Sequence, residues 1–97
     1  MKQKNSTLRQ TFAEAMQNYK KKKFQTSETL CYKILSIDPN FVQSKLLLAN
    51  IARQNRDFIK AKKLLDEAID MQPYNVSALN NLGTVYKELG EIKNAAS

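Results

Sequence analysis

Histidine and tryptophan are absent from the 97-residue sequence, cysteine occurs once, and glycine and proline occur twice each. Without histidine the commonest zinc ligand and the commonest general base are missing, and no Ser-His or Cys-His nucleophile can be assembled. A single thiol, Cys31, cannot close a disulfide within the chain, which argues against a disulfide-stapled secreted scaffold and for a reducing cytoplasm. So few turn-forming residues, beside abundant Lys, Gln, Asn, Leu and Ala, exclude a fold of short strands and tight hairpins and favour an all-α chain. No stretch approaches the roughly 18 apolar residues of a membrane span, and the N-terminal MKQKNSTLRQTFAEAM lacks the apolar core of a signal peptide. Acidic residues are also scarce. Nine stand against 16 basic ones, a net charge of +7 that favours acidic partners without choosing among peptide carboxylates, nucleic acid and an anionic surface. One domain spanning residues 1–97 is expected at this length.

What the sequence does contain is a period. Pro39 and Pro73 stand 34 residues apart, each closing an apolar helical pattern that ends Ile-Asp-Pro or Met-Gln-Pro. The same shift carries Phe24 to Phe58 to Ile92, Ser27 to Ala61 to Ala95, Ala15 to Ala49 to Gly83, Val42 to Val76, and Leu48 to Leu82. Small residues thus fall on small ones and large apolar residues on large ones. Within a period the spacing is helical: Leu8, Phe12, Ala15, Met16 and Tyr19 follow i, i+4, i+7, i+8 and i+11, and Leu30, Cys31, Ile34, Leu35 and Ile37 mark a second amphipathic stretch. The second period reads as helices over residues 42–54 and 58–71, broken by the polar turn Asn55-Arg56-Asp57. In the third, residues 76–89 form a helix that Gly90 is expected to stop by taking the left-handed conformation, with a partner helix starting near Ile92. The prolines end the second helix of each pair, because they cannot continue a helix and restrict the residue before them. Ala15, Ala49 and Gly83, facing Ser27, Ala61 and Ala95, let two backbones approach, and Phe24, Phe58 and Ile92 plug the corner between them.

These residues carry a resemblance to the tetratricopeptide repeat. Leu79-x-x-Leu82-Gly83-x-x-Tyr86 looks like that family's first helix with Leu in place of its usual Trp, and Ala95 falls at its central alanine. The second repeat matches through Leu48-Ala49, Ala61-x-x-x-Leu65 and Pro73. The first departs from the pattern at Glu14, Ser27 and Cys31, while Ala15, Phe24 and Pro39 keep its frame. The resemblance implies a right-handed α-solenoid of antiparallel helix pairs, about two and a half repeats long, over residues 8–41, 42–75 and a truncated 76–97. Repeat arrays usually finish in a polar-faced capping helix, so the sequence reads as the N-terminal part of a longer protein, or as one whose C-terminal end, with Ala78, Leu82, Val85 and Leu89, is covered by another chain, including a second copy.

The function implied is a non-catalytic one, the binding of a protein or peptide in the concave groove lined by the first helix of each pair. The stripe of those helices facing away from their partners is Phe12, Met16 and Tyr19, then Leu46, Asn50 and Arg53, then Asn80, Thr84 and Lys87, each set the previous one shifted by 34. Apolar at one end and polar to basic at the other, this stripe suits a peptide with an apolar anchor and an acidic group. Phe12, Met16 and Tyr19 are equally the kind of residues that pack against the chain's own N-terminal segment or a second copy. Where chaperone-binding members of the family place Lys and Asn of a carboxylate clamp, this chain has Phe12 and Met16, so that clamp is missing. Asn81 resembles the groove asparagine of the O-linked N-acetylglucosamine transferases, but the shifted positions are Leu47 and Ala13, so no ladder runs through the chain and a consensus asparagine is the better reading. Lys20 to Lys23, with Arg53, Arg56, Lys60, Lys62 and Lys63, gather at the turns as a basic rim; without interleaved aromatics it reads as a solvated edge rather than a nucleic-acid site. No catalytic residue, metal site or cofactor is expected: Asp66 and Glu67, or Glu88 and Glu91, lie among opposite charges, and Cys31 falls on a buried stripe. Two other functions stay open. One is the recognition or dimerisation arm of a larger glycosyltransferase or sulfotransferase, and the other an electrostatic binder of nucleic acid or anionic surfaces.

Overall fold

The computed structural model describes the backbone of residues 2–96 and the side chains of residues 7–92. Five helices follow one another, α1 (Lys2–Lys20), α2 (Phe24–Ile37), α3 (Val42–Gln54), α4 (Phe58–Met71) and α5 (Val76–Ala96), and no strand occurs among the described residues. Each packs against the helix before and after it, so order in space follows order in sequence. In addition α1 touches α3 and α3 touches α5, whereas the backbones of α2 and α4 stay apart. First helices therefore crowd while second helices splay, which curves this all-α solenoid with α1, α3 and α5 on the hollow side. Its extents of 52 × 29 × 18 Å are those of a slab rather than a sphere.

The prolines act through their predecessors. Asp38 and Gln72 are held extended, at φ −133° and −137°, and α2 and α4 stop just before them. The turns inside the pairs use another device. Lys22 (φ 63°) and Arg56 (φ 60°) are left-handed, and in each turn two backbone bonds close back on the helix: Lys22 N–H donates to Tyr19 O and Lys23 N–H to Asn18 O, while Arg56 N–H donates to Arg53 O and Asp57 N–H to Ala52 O. This is the double closure that satisfies the last carbonyls of a helix. Asp57 then caps α4, its carboxylate accepting from Lys60 N–H at 3.2 Å.

Ile34, Leu48, Ile51, Leu65 and Val85 fill the interior, and Ala15, Ala49 and Ala61 are sealed where helices meet. Ser27 is as fully enclosed as Ala61, and its hydroxyl donates to Ala15 O at 2.7 Å. The departure from alanine in the first repeat is thus a small residue that also brings its own hydrogen bond across α1 and α2. At the corners, Phe58 is buried and Phe24 packs its ring on Tyr19, with centroids 5.5 Å apart.

One expectation fails: Gly90 does not stop the third helix. α5 runs through it to Ala96, and no glycine among the described residues has a positive φ. No second helix lies back along α5 among the described residues, so nothing compensates the loss of helical hydrogen bonds that a turn would cost, and propagation wins. For the same reason Gly83 admits no close helix: a Cβ there would meet no atom within 4 Å. Ile92 lies exposed instead of plugging a corner, and Ala95 falls outside the described side chains.

Candidate functional site

On the hollow side the three first helices converge on a groove of about 410 Å³. Phe12, Met16 and Tyr19 come from α1, Gln43, Leu46, Leu47 and Asn50 from α3, and Ser77, Asn80 and Asn81 from α5. The side chains reach one cavity because each helix is the preceding one displaced by a repeat, so residues 34 apart hold equivalent positions. The apolar end is braced from within the chain. Phe12 tilts against Phe41 with centroids 5.7 Å apart, Tyr19 rests on Phe24, and Met16 is packed on the core.

Of the nine residues projected onto this face, Phe12, Met16, Tyr19, Leu46, Asn50 and Asn80 line the cavity, and Arg53, Thr84 and Lys87 do not. Arg53 is engaged elsewhere, its Nε donating to Glu88 Oε1 at 2.9 Å across α3 and α5. The Thr84 hydroxyl turns back onto Asn80 O at 3.1 Å, and Lys87 stays exposed beyond the lining. Gln43, Leu47, Ser77 and Asn81 join the wall without having been on the stripe. A signal for them existed, since Gln43 shifts by 34 to Ser77 and Leu47 to Asn81, so a stripe one residue wider contains all four. Asn81, single along the period, stands in the wall beside Asn80.

No lining residue is charged, and five of the ten are polar side chains of α3 and α5: the carboxamides of Gln43, Asn50, Asn80 and Asn81 and the hydroxyl of Ser77. A carboxamide offers two donors and an acceptor, the complement of a peptide unit. Apolar surface on α1 next to such groups suits a neutral, partly apolar segment of chain.

Several basic residues are engaged by acidic or aromatic side chains. Lys60 Nζ contacts Glu28 Oε2 at 3.3 Å and lies 5.6 Å from the centre of the Tyr32 ring; the hydrogen bond to Tyr32 is the main cause that lifts its pKa above the ordinary lysine value, with Glu28 adding to it. Lys62 pairs with Asp66 at 2.9 Å and sits 5.7 Å from the Tyr86 ring centre, Lys45 pairs with Glu67 at 3.0 Å, and Arg56 lies over Phe58. Lys20 to Lys23 and Lys63 remain exposed. Asp66, Glu67 and Glu88 are thereby consumed in ion pairs rather than set against one another. Burial pushes the Cys31 thiol up to about 12, Glu28 adds to the rise, and the Ser44 hydroxyl beside it works in the opposite direction. A thiol so enclosed behaves as a small apolar residue. Among the described residues no three His, Cys, Asp or Glu side chains gather to hold a metal, and no helix is long and apolar enough to cross a membrane.

Comparison with known proteins bears on the repeat architecture. Two sequence profiles, each described as tetratricopeptide repeat, match residues 42–75 and 64–95. Among curated proteins the chain is 30% identical over 91 residues to lipopolysaccharide assembly protein B of Haemophilus influenzae, covering 93% of this chain and 23% of that protein. It is 28% identical over 91 residues to UDP-N-acetylglucosamine–peptide N-acetylglucosaminyltransferase of Caenorhabditis elegans, covering 94% of this chain and 8% of that protein. The chain therefore spans less than a quarter of the length of either relative.

Proposed function

We propose that this chain, which belongs to the tetratricopeptide repeat family, holds an extended segment of a partner protein in the groove between α1, α3 and α5. Repeats of this family generally mediate protein–protein interaction. The observation that carries the reading is the cavity itself, apolar along α1 and amide-bearing along α3 and α5. An apolar anchor seated against Met16 and Leu46 gains about 1.5–3 kcal/mol per buried side chain. Peptide units passing Asn50 and Asn80 exchange water for carboxamide partners at little net cost. Arg53 is held by Glu88 and Lys87 lies outside the lining, so the anchor rather than an acidic group is what the groove selects.

Both relatives support a module that works beside other parts. One is named for assembly and the other for transfer of a sugar, and in each the matched stretch is a minor share of the whole. This favours a recognition arm over a catalytic unit. A free, buried thiol fits a cytoplasmic setting.

Selection from a display library of random 12-residue peptides tests the reading, using the wild type and the variant Met16→Ala/Asn50→Ala/Asn80→Ala. Recovered peptides are expected to share an apolar residue and to lose at least about tenfold in affinity for the variant, about 1.4 kcal/mol. Changing Lys20 to Lys23 to Gln is expected to leave them bound. Peptides that bind wild type and groove variant alike would dispose of the groove.

A further inference from the structure

Along α5 a line of residues stays exposed beside the α4 contact, with Lys62 of α4 lying 5.7 Å from the Tyr86 ring centre. Val76, Leu79 and Tyr86 are 67%, 45% and 52% exposed, and between and after them stand Gly83 and Gly90, each with open space around it. Spaced 3, 4, 3 and 4 apart, the five form a single seam down one face of the helix. One repeat earlier Val42, Ala49 and Ala52, equivalent to Val76, Gly83 and Tyr86, are 8%, 0% and 3% exposed, Lys45 in the place of Leu79 pairs with Glu67 of α4, and Arg56 in the place of Gly90 lies exposed in the turn; two repeats earlier Leu8 and Ala15 are buried as well. The surface left bare on α5 is thus the one that the stack covers elsewhere with a helix.

We propose that the occupant is α5 of a second copy, packed antiparallel about a two-fold axis at Gly83. The seam is complementary to itself. Val76 and Gly90 lie equally far from Gly83 on either side, and Leu79 and Tyr86 nearly so. Turned end for end, the seam therefore sets Val76 into the space left by Gly90 of the second copy and Leu79 against its Tyr86. At the crossing point two glycines meet, and the missing side chains let the helix axes close to packing distance.

The opposite face of the molecule does not compete for the seam. The exposed residues of α1 among those described, such as Arg9, Gln10, Ala13, Glu14 and Gln17, are polar or small. A head-to-tail stack would put apolar Val76, Leu79 and Tyr86 against that charged surface, whereas a head-to-head pair buries like on like and closes. Charge permits it, because α5 holds Lys87 and Lys93 against Glu88 and Glu91, and the lysine run of the molecule belongs to the α1–α2 turn.

Sedimentation equilibrium of the full chain from about 5 to 500 µM decides the matter, since a Kd anywhere in that range changes the mean mass visibly. The expected result is a concentration-dependent rise towards twice 11.1 kDa. Gly83→Arg, which improves helix propensity while filling the crossing point, is expected to weaken association more than tenfold with its thermal unfolding midpoint kept or raised. Gly83→Cys is expected to form a disulfide-linked dimer across the axis, Cys31 being buried and unavailable for exchange. A wild type that stays monomeric throughout overturns the proposal, as does a Gly83→Arg protein that dimerises as well as the parent. Loss of association in Asn50→Ala/Asn80→Ala would move the contact to the groove and overturn it too.

Discussion

Cys31 is a titrating group with no exposed surface, on α2 one turn after Glu28 and beside Ser44 of α3. Desolvation by burial is the main reason its thiol keeps the proton up to about 12, against an ordinary 9.0. The sign follows directly. The unfolded chain gives up the proton first, so the stability that belongs to the neutral buried thiol is fully present below about pH 9 and is lost as pH rises from there towards 12. Guanidinium unfolding of wild type and Cys31→Ala at several pH values isolates this contribution, because lysine and tyrosine titrations cancel in the difference. The difference is expected to be flat from pH 6 to about 8 and then to turn against the wild type, no more steeply than about 1.4 kcal/mol per pH unit, the slope of a single proton. Parallel curves up to pH 11 would contradict the account. Burial of Cys31 could be read from its place on an apolar helical stripe. The role of Ser27 could not, since its bond to Ala15 O depends on how closely two helices meet, and a sequence shows only that the residue is small.

Helices and turns were legible where side-chain size or backbone freedom is decisive. Pro39 and Pro73 end α2 and α4, and α3 and α4 span the stretches that the apolar spacing marks. The turns were legible in place but not in conformation. Both use a left-handed residue that is not glycine, Lys22 and Arg56, and one repeat further on stands Gly90, the residue best suited to that conformation, which stays helical. Conformation there is set by whether a helix packs back on its predecessor, a tertiary matter that outweighs the preference of a single residue. The strain at Lys22 is measurable. A left-handed non-glycine residue costs about 1–2 kcal/mol, and glycine gives back about 0.5–1 in extra chain entropy on unfolding, so Lys22→Gly is expected to stabilise by about 0.5–1 kcal/mol. For a domain of this size that raises the thermal midpoint by about 2–6 °C. At helical Gly90 the logic reverses, and Gly90→Ala is the stabilising change there. Calorimetry on the two variants reads both, and a lower midpoint for Lys22→Gly would mean that the turn is not strained.

Across the whole molecule charge and groove are separated. The run Lys20 to Lys23 lies exposed where α1 meets α2, while the cavity between α1, α3 and α5 has no charged residue in its wall. The 34-residue shift projects backbone positions well, which is why a stripe chosen by spacing reaches that cavity at all. Where a long side chain goes depends on what lies within its reach, and Arg53 finds Glu88 on the next first helix, 35 residues away. A sequence does not reveal such pairs, so the stripe reads as basic where the folded groove is neutral. The distinction carries a consequence for binding. Charges further than about a Debye length from a ligand are screened at moderate salt, and that length shrinks from about 10 Å at 0.1 M to about 3 Å at 1 M. An anionic polymer held by Lys20 to Lys23 would lose affinity steeply over such a series, because each phosphate contact releases a counterion. A neutral peptide held by apolar contact and carboxamides has no such dependence. Titrating a library-selected peptide by fluorescence anisotropy between about 0.05 and 0.5 M NaCl is expected to change Kd by less than about threefold. A tenfold loss over that range would place the partner on the lysine edge and leave the groove without a ligand.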